Sequence, residues 1–149
     1  MLKIYLDNCC LNRPFDDLRQ TKIAMEAEAK RFIQSLVRYH ALHLVYSYIS
    51  LFEIEKNPHE YKKSYVLDFL VNADIYVEAR HKEVIYRMAI EIMRSGIKEM
   101  DALHVACALF AKCDYFITTD ERLLRYRDDR IILYNPVKFV EFWENSHDR

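Results

Sequence analysis

The chain has 149 residues, a length that predicts one globular domain. Apolar residues make up 52% and charged residues 30% of the sequence, a balance typical of a folded protein rather than a disordered one. Its 22 Lys and Arg residues against 23 Asp and Glu residues give a formal net charge of -1. This charge excludes a protein that holds nucleic acid by bulk positive charge, although it is compatible with a local basic groove.

The sequence contains one glycine, Gly96. A dinucleotide-binding fingerprint needs three glycines, and a P-loop needs a glycine beside Lys followed by Ser or Thr. Nucleotide-phosphate binding of these two kinds is therefore excluded.

The four cysteines, Cys9, Cys10, Cys107 and Cys113, form no CxxC motif, and two adjacent cysteines do not readily form an unstrained disulfide. We expect them to be reduced and to pack as small apolar residues; a zinc site that combines them with His104 is an alternative. No apolar run approaches the ~20 residues of a membrane-spanning helix, and the start of the chain does not resemble a signal peptide. We expect a soluble, cytoplasmic protein.

The predicted elements alternate between strand and helix along the chain. In chain order they are a strand at 2–6, a loop at 13–17, a helix ending at about 39, a strand at 42–46, helices at about 47–56 and 61–70, a strand at 75–78, helices at about 82–94 and 99–112, a strand at 115–118, a short helix opened by Asp120, a strand at 131–134, and a helix that begins at Pro136. This alternation predicts an α/β fold with three layers, in which helices cover both faces of a mainly parallel sheet.

Carboxylates lie at or soon after the predicted ends of the strands. Asp7 and Asp120 directly follow two strands, Glu53 lies on the helix after the second strand, and Asp101 lies near the start of the alanine-rich helix. Ligand sites of parallel sheets lie outside the carboxyl ends of the strands. Converging carboxylates bind hard cations such as Mg²⁺ or Mn²⁺, so the pattern indicates a metal site.

Each carboxylate also has a purely structural interpretation. Asp101 and Asp120 stand at plausible helix N-caps, and Asp7 can end a strand in an Asx-turn. Glu53 can lie on a solvated helix face, and Glu55 is a rival for its role. The residues alone therefore leave these alternatives open.

Four segments, taken together and in this order, resemble the PIN domain, a nuclease fold named after the PilT N-terminus. They are YLDNCCLNRPFDD, SYISLFEIEKNP, IKEMDALHVACA and DYFITTDERLL, and the resemblance extends from Leu2 to about Val140. It implies one PIN-like domain over residues 1–149. The acidic residues of the family match Asp7, Glu53, Asp101 and Asp120.

The resemblance implies a divalent-metal-dependent endoribonuclease that hydrolyses RNA phosphodiester bonds. Asp7, Asp101 and Asp120 would hold one or two Mg²⁺ or Mn²⁺ ions, and Glu53 would orient a ligand. A compact protein of this family is often the toxin of a type II toxin–antitoxin pair of the virulence-associated C kind. We therefore expect a separate antitoxin, and we expect a homodimer because the chain has 20 aromatic residues, more than a small domain can bury.

Other residues are expected to contact the substrate. Asn8 stands where the family commonly has Thr or Ser, and Thr118 matches the family's hydroxyl before the last Asp. Arg13 and Arg122 are candidates for contacts with RNA, although an exposed position on the surface explains them equally well. His104 is interpreted as a packed helix residue.

Two other functions are compatible with this sequence. The first is a PIN-like interaction module without activity, which the complete acidic quartet disfavours. The second is an α/β signalling domain in which Asp7 accepts a phosphoryl group. That class normally has an acidic pair and a late Lys, and this sequence has neither at the required places.

Overall fold

The computed structural model describes residues 1–12 and 20–147, which surround a five-stranded sheet. The strands are β1 (Lys3–Leu6), β2 (His43–Ser47), β3 (Ile75–Val77), β4 (Tyr115–Ile117) and β5 (Ile132–Tyr134). Their order is β3-β2-β1-β4-β5, and all four neighbouring pairs are parallel. The predicted α/β class with a mainly parallel sheet is confirmed.

The helices of the described residues follow the predicted alternation closely. They are α1 (Asn8–Leu11), α2 (Thr21–Arg38), α3 (Tyr48–Glu55), α4 (Glu60–Leu70), α5 (Lys82–Met93), α6 (Glu99–Phe110) and α7 (Pro136–His147). Two short 3-10 turns lie at Ala79–His81 and Leu123–Arg125. Helix α1 was not predicted, and the expected helix after Asp120 is a 3-10 turn; the predicted loop at 13–17 lies outside the described residues.

Helices cover both faces of the sheet because side chains alternate between its faces along each strand. On one face, Tyr5 and Phe116 pack against α5 and the alanine-rich α6. On the other face, Ile4 and Leu44 join a core that includes residues of α2, α4 and α7, among them Phe139. The strands are buried on both sides, as is typical of parallel sheets.

Two helices end in a left-handed residue that is not glycine. His40 follows α2 and Lys112 follows α6, each with φ of 58°. Beyond each helix the Schellman pair of hydrogen bonds forms, with the longer bonds running from the Ala41 amide to the Leu36 carbonyl and from the Cys113 amide to the Ala108 carbonyl. Both motifs turn the chain directly into a strand, β2 or β4.

Strand β1 lies at the centre of the sheet, between β2 and β4. The residues that follow these three strands therefore lie side by side at one edge of the sheet. No helix of the described residues is long and apolar enough to span a membrane.

Candidate active site

The four predicted carboxylates form one electrostatic cluster at the carboxyl edge of the sheet. The pKa of Asp101 is raised by its partial burial, and further by the negative charges of Asp7, Asp120 and Glu53. His104 acts in the opposite direction. The charges of four separate segments of the chain therefore act on one another, although the group with metal-ligand spacing contains only Asp7 and Glu53 of the four.

Asp7 is the most buried of the four. Its side chain is 8% exposed, its Oδ1 accepts a 2.8 Å hydrogen bond from the Asn8 amide, and its Oδ2 accepts one of 2.7 Å from the Thr118 hydroxyl. The Asp7 amide in turn donates to the Ile117 carbonyl, which fixes the residue to the end of β4. The first of these bonds makes Asp7 the N-cap of α1, so its structural and proposed metal-binding roles coexist.

Glu53 faces the cluster and contacts a buried histidine. The Nε2 atom of His104, whose side chain is 1% exposed, forms a close hydrogen bond with the Glu53 carboxylate. One ligand atom each of Asp7, Glu53 and His104 lies within 4.8 Å of the others. Glu55, the rival on the same helix, instead forms an exposed ion pair with Lys63. The geometry thus separates the two glutamates, as periodicity could not.

A buried hydrogen-bond network contacts the second ring nitrogen of His104. Its Nδ1 lies 2.6 Å from the Tyr5 hydroxyl, which also lies 2.7 Å and 3.1 Å from the hydroxyls of Ser47 and Ser50. A carboxylate only accepts, so we assign the proton of His104 to Nε2, and Tyr5 then donates to Nδ1. Burial raises the pKa of Tyr5 well above its usual value, which keeps its hydroxyl protonated. The network therefore fixes the ring that orients Glu53.

Asp101 and Asp120 differ in how far the capping interpretation holds. The N-cap of α6 is Lys98, and Asp101 lies in the first turn of the helix, so the capping interpretation of Asp101 is wrong. Asp120 does cap: its Oδ1 accepts from the amides of Arg122 and Leu123. These bonds use one oxygen of Asp120, and its second oxygen accepts no hydrogen bond from the part of the chain that the structure describes.

The proposed substrate contacts have varied positions. Thr118 is fully buried and donates to Asp7, so it positions a carboxylate and does not reach a substrate. Asn8 contacts Asp7 through its backbone amide rather than its side chain. Arg122 is exposed beside Asp120, and Arg13 lies outside the described residues.

The cysteines do not assemble the alternative zinc site. Burial raises the pKa of both Cys107 and Cys113 to about 12, so these thiols stay neutral. Cys9 lies near the acidic cluster, with its Sγ 3.7 Å from Asp7 Oδ2 and 3.7 Å from Cys10 Sγ. Among the described residues, the one group with metal-ligand spacing is Asp7, Glu53 and His104, without a cysteine.

The donor set fits a hard divalent cation. It consists of carboxylate oxygens that range from buried at Asp7 to exposed at Asp120, with a single imidazole whose nitrogens already contact Glu53 and Tyr5. Mg²⁺ and Mn²⁺ prefer oxygen ligands, and partly buried carboxylates that repel one another gain most from such an ion.

Sequence reasoning missed the supporting residues rather than the carboxylates. Tyr5, Ser47 and Ser50 lie in a strand and at a helix start, where they are indistinguishable from core and capping residues. One signal in the sequence could have indicated the network. His104 follows Asp101 by three residues, so the two lie on the same side of α6.

Comparison with known proteins agrees with this fold. A family model of the PIN domain matches residues 4–129, and the chain therefore belongs to the PIN domain family. No curated protein sequence matches the chain.

Two solved structures share the fold. One is VapBC2 from Rickettsia felis, bound to a DNA fragment from its promoter: identity is 16%, coverage is 90% of this chain and 98% of that chain, and the TM-score is 0.57. The other is FitAB bound to an IR36 DNA fragment, with 15% identity, 90% and 95% coverage, and a TM-score of 0.55. At these identities the likeness demonstrates a common fold and nothing finer.

Proposed function

We propose that the protein is a divalent-metal-dependent endoribonuclease that hydrolyses RNA phosphodiester bonds. The observation that carries the proposal is the group of Asp7, Glu53 and His104, whose ligand atoms lie within 4.8 Å of one another in a chain of the PIN family. The negative charges of Asp7, Asp120 and Glu53 that act on Asp101 support it. PIN domains are nucleases, and the resemblance of the sequence motifs matches these four carboxylates to the acidic residues of the family.

Each residue has a distinct part in the proposed reaction. Asp7, Asp101 and Asp120 would hold Mg²⁺ or Mn²⁺ through their carboxylates, and the Thr118 hydroxyl donates a hydrogen bond that positions Asp7. Glu53 orients a ligand, and His104 keeps Glu53 in place. When bound, the cation supplies activation of water and neutralisation of the phosphate charge. Asn8, Arg122 and Arg13 are proposed to contact the RNA strand.

The biological role that we propose is the toxin of a type II toxin–antitoxin pair, acting as a homodimer and neutralised by a separate antitoxin. The resemblance to virulence-associated C toxins and the fold shared with VapBC2 and FitAB support this role. A small reading frame directly upstream that encodes a protein able to block RNA cleavage would test it.

RNA cleavage in Mn²⁺ tests the activity. Replacing Asp7, Asp101 or Asp120 by Asn is expected to lower the cleavage rate by roughly a hundredfold or more, because each change removes a charged ligand. The matched pair is Glu53→Gln and Glu55→Gln. The first is expected to reduce the rate strongly, and the second is expected to leave it near that of the wild type.

Two results would contradict the proposal. Full activity in EDTA would contradict the dependence on a metal ion. An active Glu53→Gln variant together with an inactive Glu55→Gln variant would show that Glu55, and not Glu53, is the functional glutamate of α3. An intact protein that binds Mn²⁺ but cleaves no RNA would instead favour the inactive interaction module.

A further inference from the structure

A groove lined by arginines lies next to the acidic cluster. It has a volume of about 480 Å³, and its walls are the side chains of Arg122, Arg125, Arg127 and Tyr126 together with the loop at 95–97. Gly96 in that loop has φ of +89°, and nothing lies within 4 Å of the position that a Cβ would occupy. At Gly96 the wall of the groove therefore carries no side chain.

The arginine groove has an excess of positive charge. Among the described residues no carboxylate lines it, although the charge of Arg125 does act on the nearby Glu121 carboxylate. Glu121 is occupied by an ion pair with Lys22, and Asp128 by a bidentate pair with Arg130. Within the described part of the chain, no ion pair involves the guanidinium groups of Arg122 and Arg125. The groove therefore carries a local excess of positive charge, although the formal net charge of the whole chain is -1.

The third arginine is held in place by the backbone. Arg127 Nη1 donates to the carbonyl oxygens of Leu124 and Tyr126, at 2.7 Å and 3.4 Å. A guanidinium has five N–H groups, so this anchor leaves donors for a ligand. A positioned guanidinium binds a phosphate at a lower entropic cost than a mobile one.

The groove is connected to the acidic cluster on two sides. Arg122 lies two residues after Asp120 and donates its amide to that carboxylate. The loop at 95–97 leads directly into α6, whose first turn carries Asp101. An RNA strand that crosses the carboxylates therefore meets these arginines next.

We propose that the arginine groove binds backbone phosphates of the single-stranded RNA next to the cleaved bond. This inference rests on the proposed nuclease function, and it assigns Arg125 and Arg127 to the substrate site together with Arg122. Arginine suits this task because its planar fork of donors matches the oxygens of a phosphate. The contacts are with phosphates, so the groove positions the strand and does not read its sequence.

Binding in EDTA tests the groove separately from cleavage. A labelled single-stranded RNA is titrated with the protein at several salt concentrations, and binding is followed by fluorescence anisotropy. Each of Arg122→Gln, Arg125→Gln and Arg127→Gln is expected to reduce the slope of log K against log salt by about 0.7. The triple variant is expected to bind at least tenfold more weakly.

Arg80→Gln is the matched control, because Arg80 is exposed on the 3-10 turn after the edge strand β3, far along the sheet from the groove. It is expected to retain the wild-type slope. Arg125→Gln also serves where the triple variant fails to fold, because the Arg125 side chain lies in the exposed 3-10 turn and takes part in no ion pair of the described residues.

Unchanged salt slopes in all three arginine variants would contradict the proposal that the groove binds RNA. If the wild type still cleaves RNA in Mn²⁺, the nuclease proposal would be unaffected by that result. Parallel titrations use single-stranded DNA of the same sequence and duplex DNA. Tighter binding of duplex DNA than of single-stranded RNA would also overturn the proposal. Failure of cleavage with intact arginine-dependent RNA binding would contradict the nuclease instead.

Discussion

At the scale of single residues, Asp101 provides a direct test of the acidic cluster. Its carboxylate is partly buried beside three others, so without a cation it destabilises the fold. We expect Asp101→Asn to raise the melting temperature in EDTA by a few degrees. In the wild type, Mn²⁺ at ~100 times its dissociation constant is expected to add about 2.7 kcal/mol of stability. The variant should lose this increase.

A thermal melt of both proteins with EDTA and with millimolar Mn²⁺ measures these effects. Glu99→Gln, in the same first turn of α6 but exposed, is the control that should keep the response to Mn²⁺. Equal melting temperatures for wild type and Asp101→Asn under all conditions would contradict a metal site here.

The buried hydrogen-bond network around Tyr5 predicts that the loss of one hydroxyl group lowers the stability of the protein. Tyr5→Phe removes the hydroxyl that joins His104, Ser47 and Ser50, and leaves their polar groups without this partner. We expect a loss of about 1–3 kcal/mol in the free energy of unfolding. Urea denaturation measures it.

Tyr115→Phe is the matched control for that measurement. Tyr115 is also a buried tyrosine of a central strand, but it packs through its ring on Tyr134 and Phe139. Its substitution is expected to change stability by less than about 0.5 kcal/mol. A Tyr5→Phe variant as stable as this control would show that the network contributes little.

At the scale of secondary-structure elements, the two Schellman motifs carry conformational strain. His40 and Lys112 adopt a left-handed conformation that costs an L-residue roughly 1 kcal/mol and costs glycine almost nothing. We therefore expect His40→Gly and Lys112→Gly each to stabilise the protein by up to about 1 kcal/mol in urea denaturation. Lys56→Gly, at the end of α3 where φ is -77°, should destabilise it.

The strands and long helices were predictable because each has a strong periodic or apolar signal. Helix α1 was not, since four residues are too short to show a helical period, and its formation depends on the Asp7 cap. The start of α6 at about residue 99 was predicted, but the capping interpretation of Asp101 was wrong, because a favourable capping residue within the first turn resembles a true cap. Lys98 holds that position without a side-chain hydrogen bond.

The candidate site was predictable in its carboxylates, because each follows a recognisable strand or begins a recognisable helix. The partner of Glu53 was not predictable. His104 meets Glu53 across 51 positions of sequence, and only the packing of α6 against α3 brings the two together. The arginine groove likewise depends on how the turn after Asp120 packs beside the loop at 95–97.

At the scale of the whole molecule, exposed apolar side chains on α5 bear on the proposed homodimer. Val84, Tyr86 and Ile90 are exposed, and Tyr86 borders a groove of about 510 Å³ between α5, α6 and the start of α3. We expect light scattering at tens of micromolar to give twice the 18.0 kDa mass of the chain. Tyr86→Glu should shift the protein toward the monomer.

Tyr39→Glu is the control for the dimer, since Tyr39 is 83% exposed and lies at the end of α2, outside the residues that line the groove. This variant should retain the wild-type mass. A monomer mass for the wild type at these concentrations would contradict the homodimer.

The central place of β1 in the sheet has a consequence for synthesis of the protein. β1 is translated first, yet one of its two neighbours, β4, begins only at Tyr115. The acidic cluster needs Asp120, so a nascent chain carries Asp7 and Glu53 long before the remaining carboxylates emerge from the ribosome. For the ribonuclease proposed above, this order is protective: a polypeptide that still lacks Asp101 and Asp120 has an incomplete acidic cluster and is not expected to cut the messenger RNA from which it is being translated.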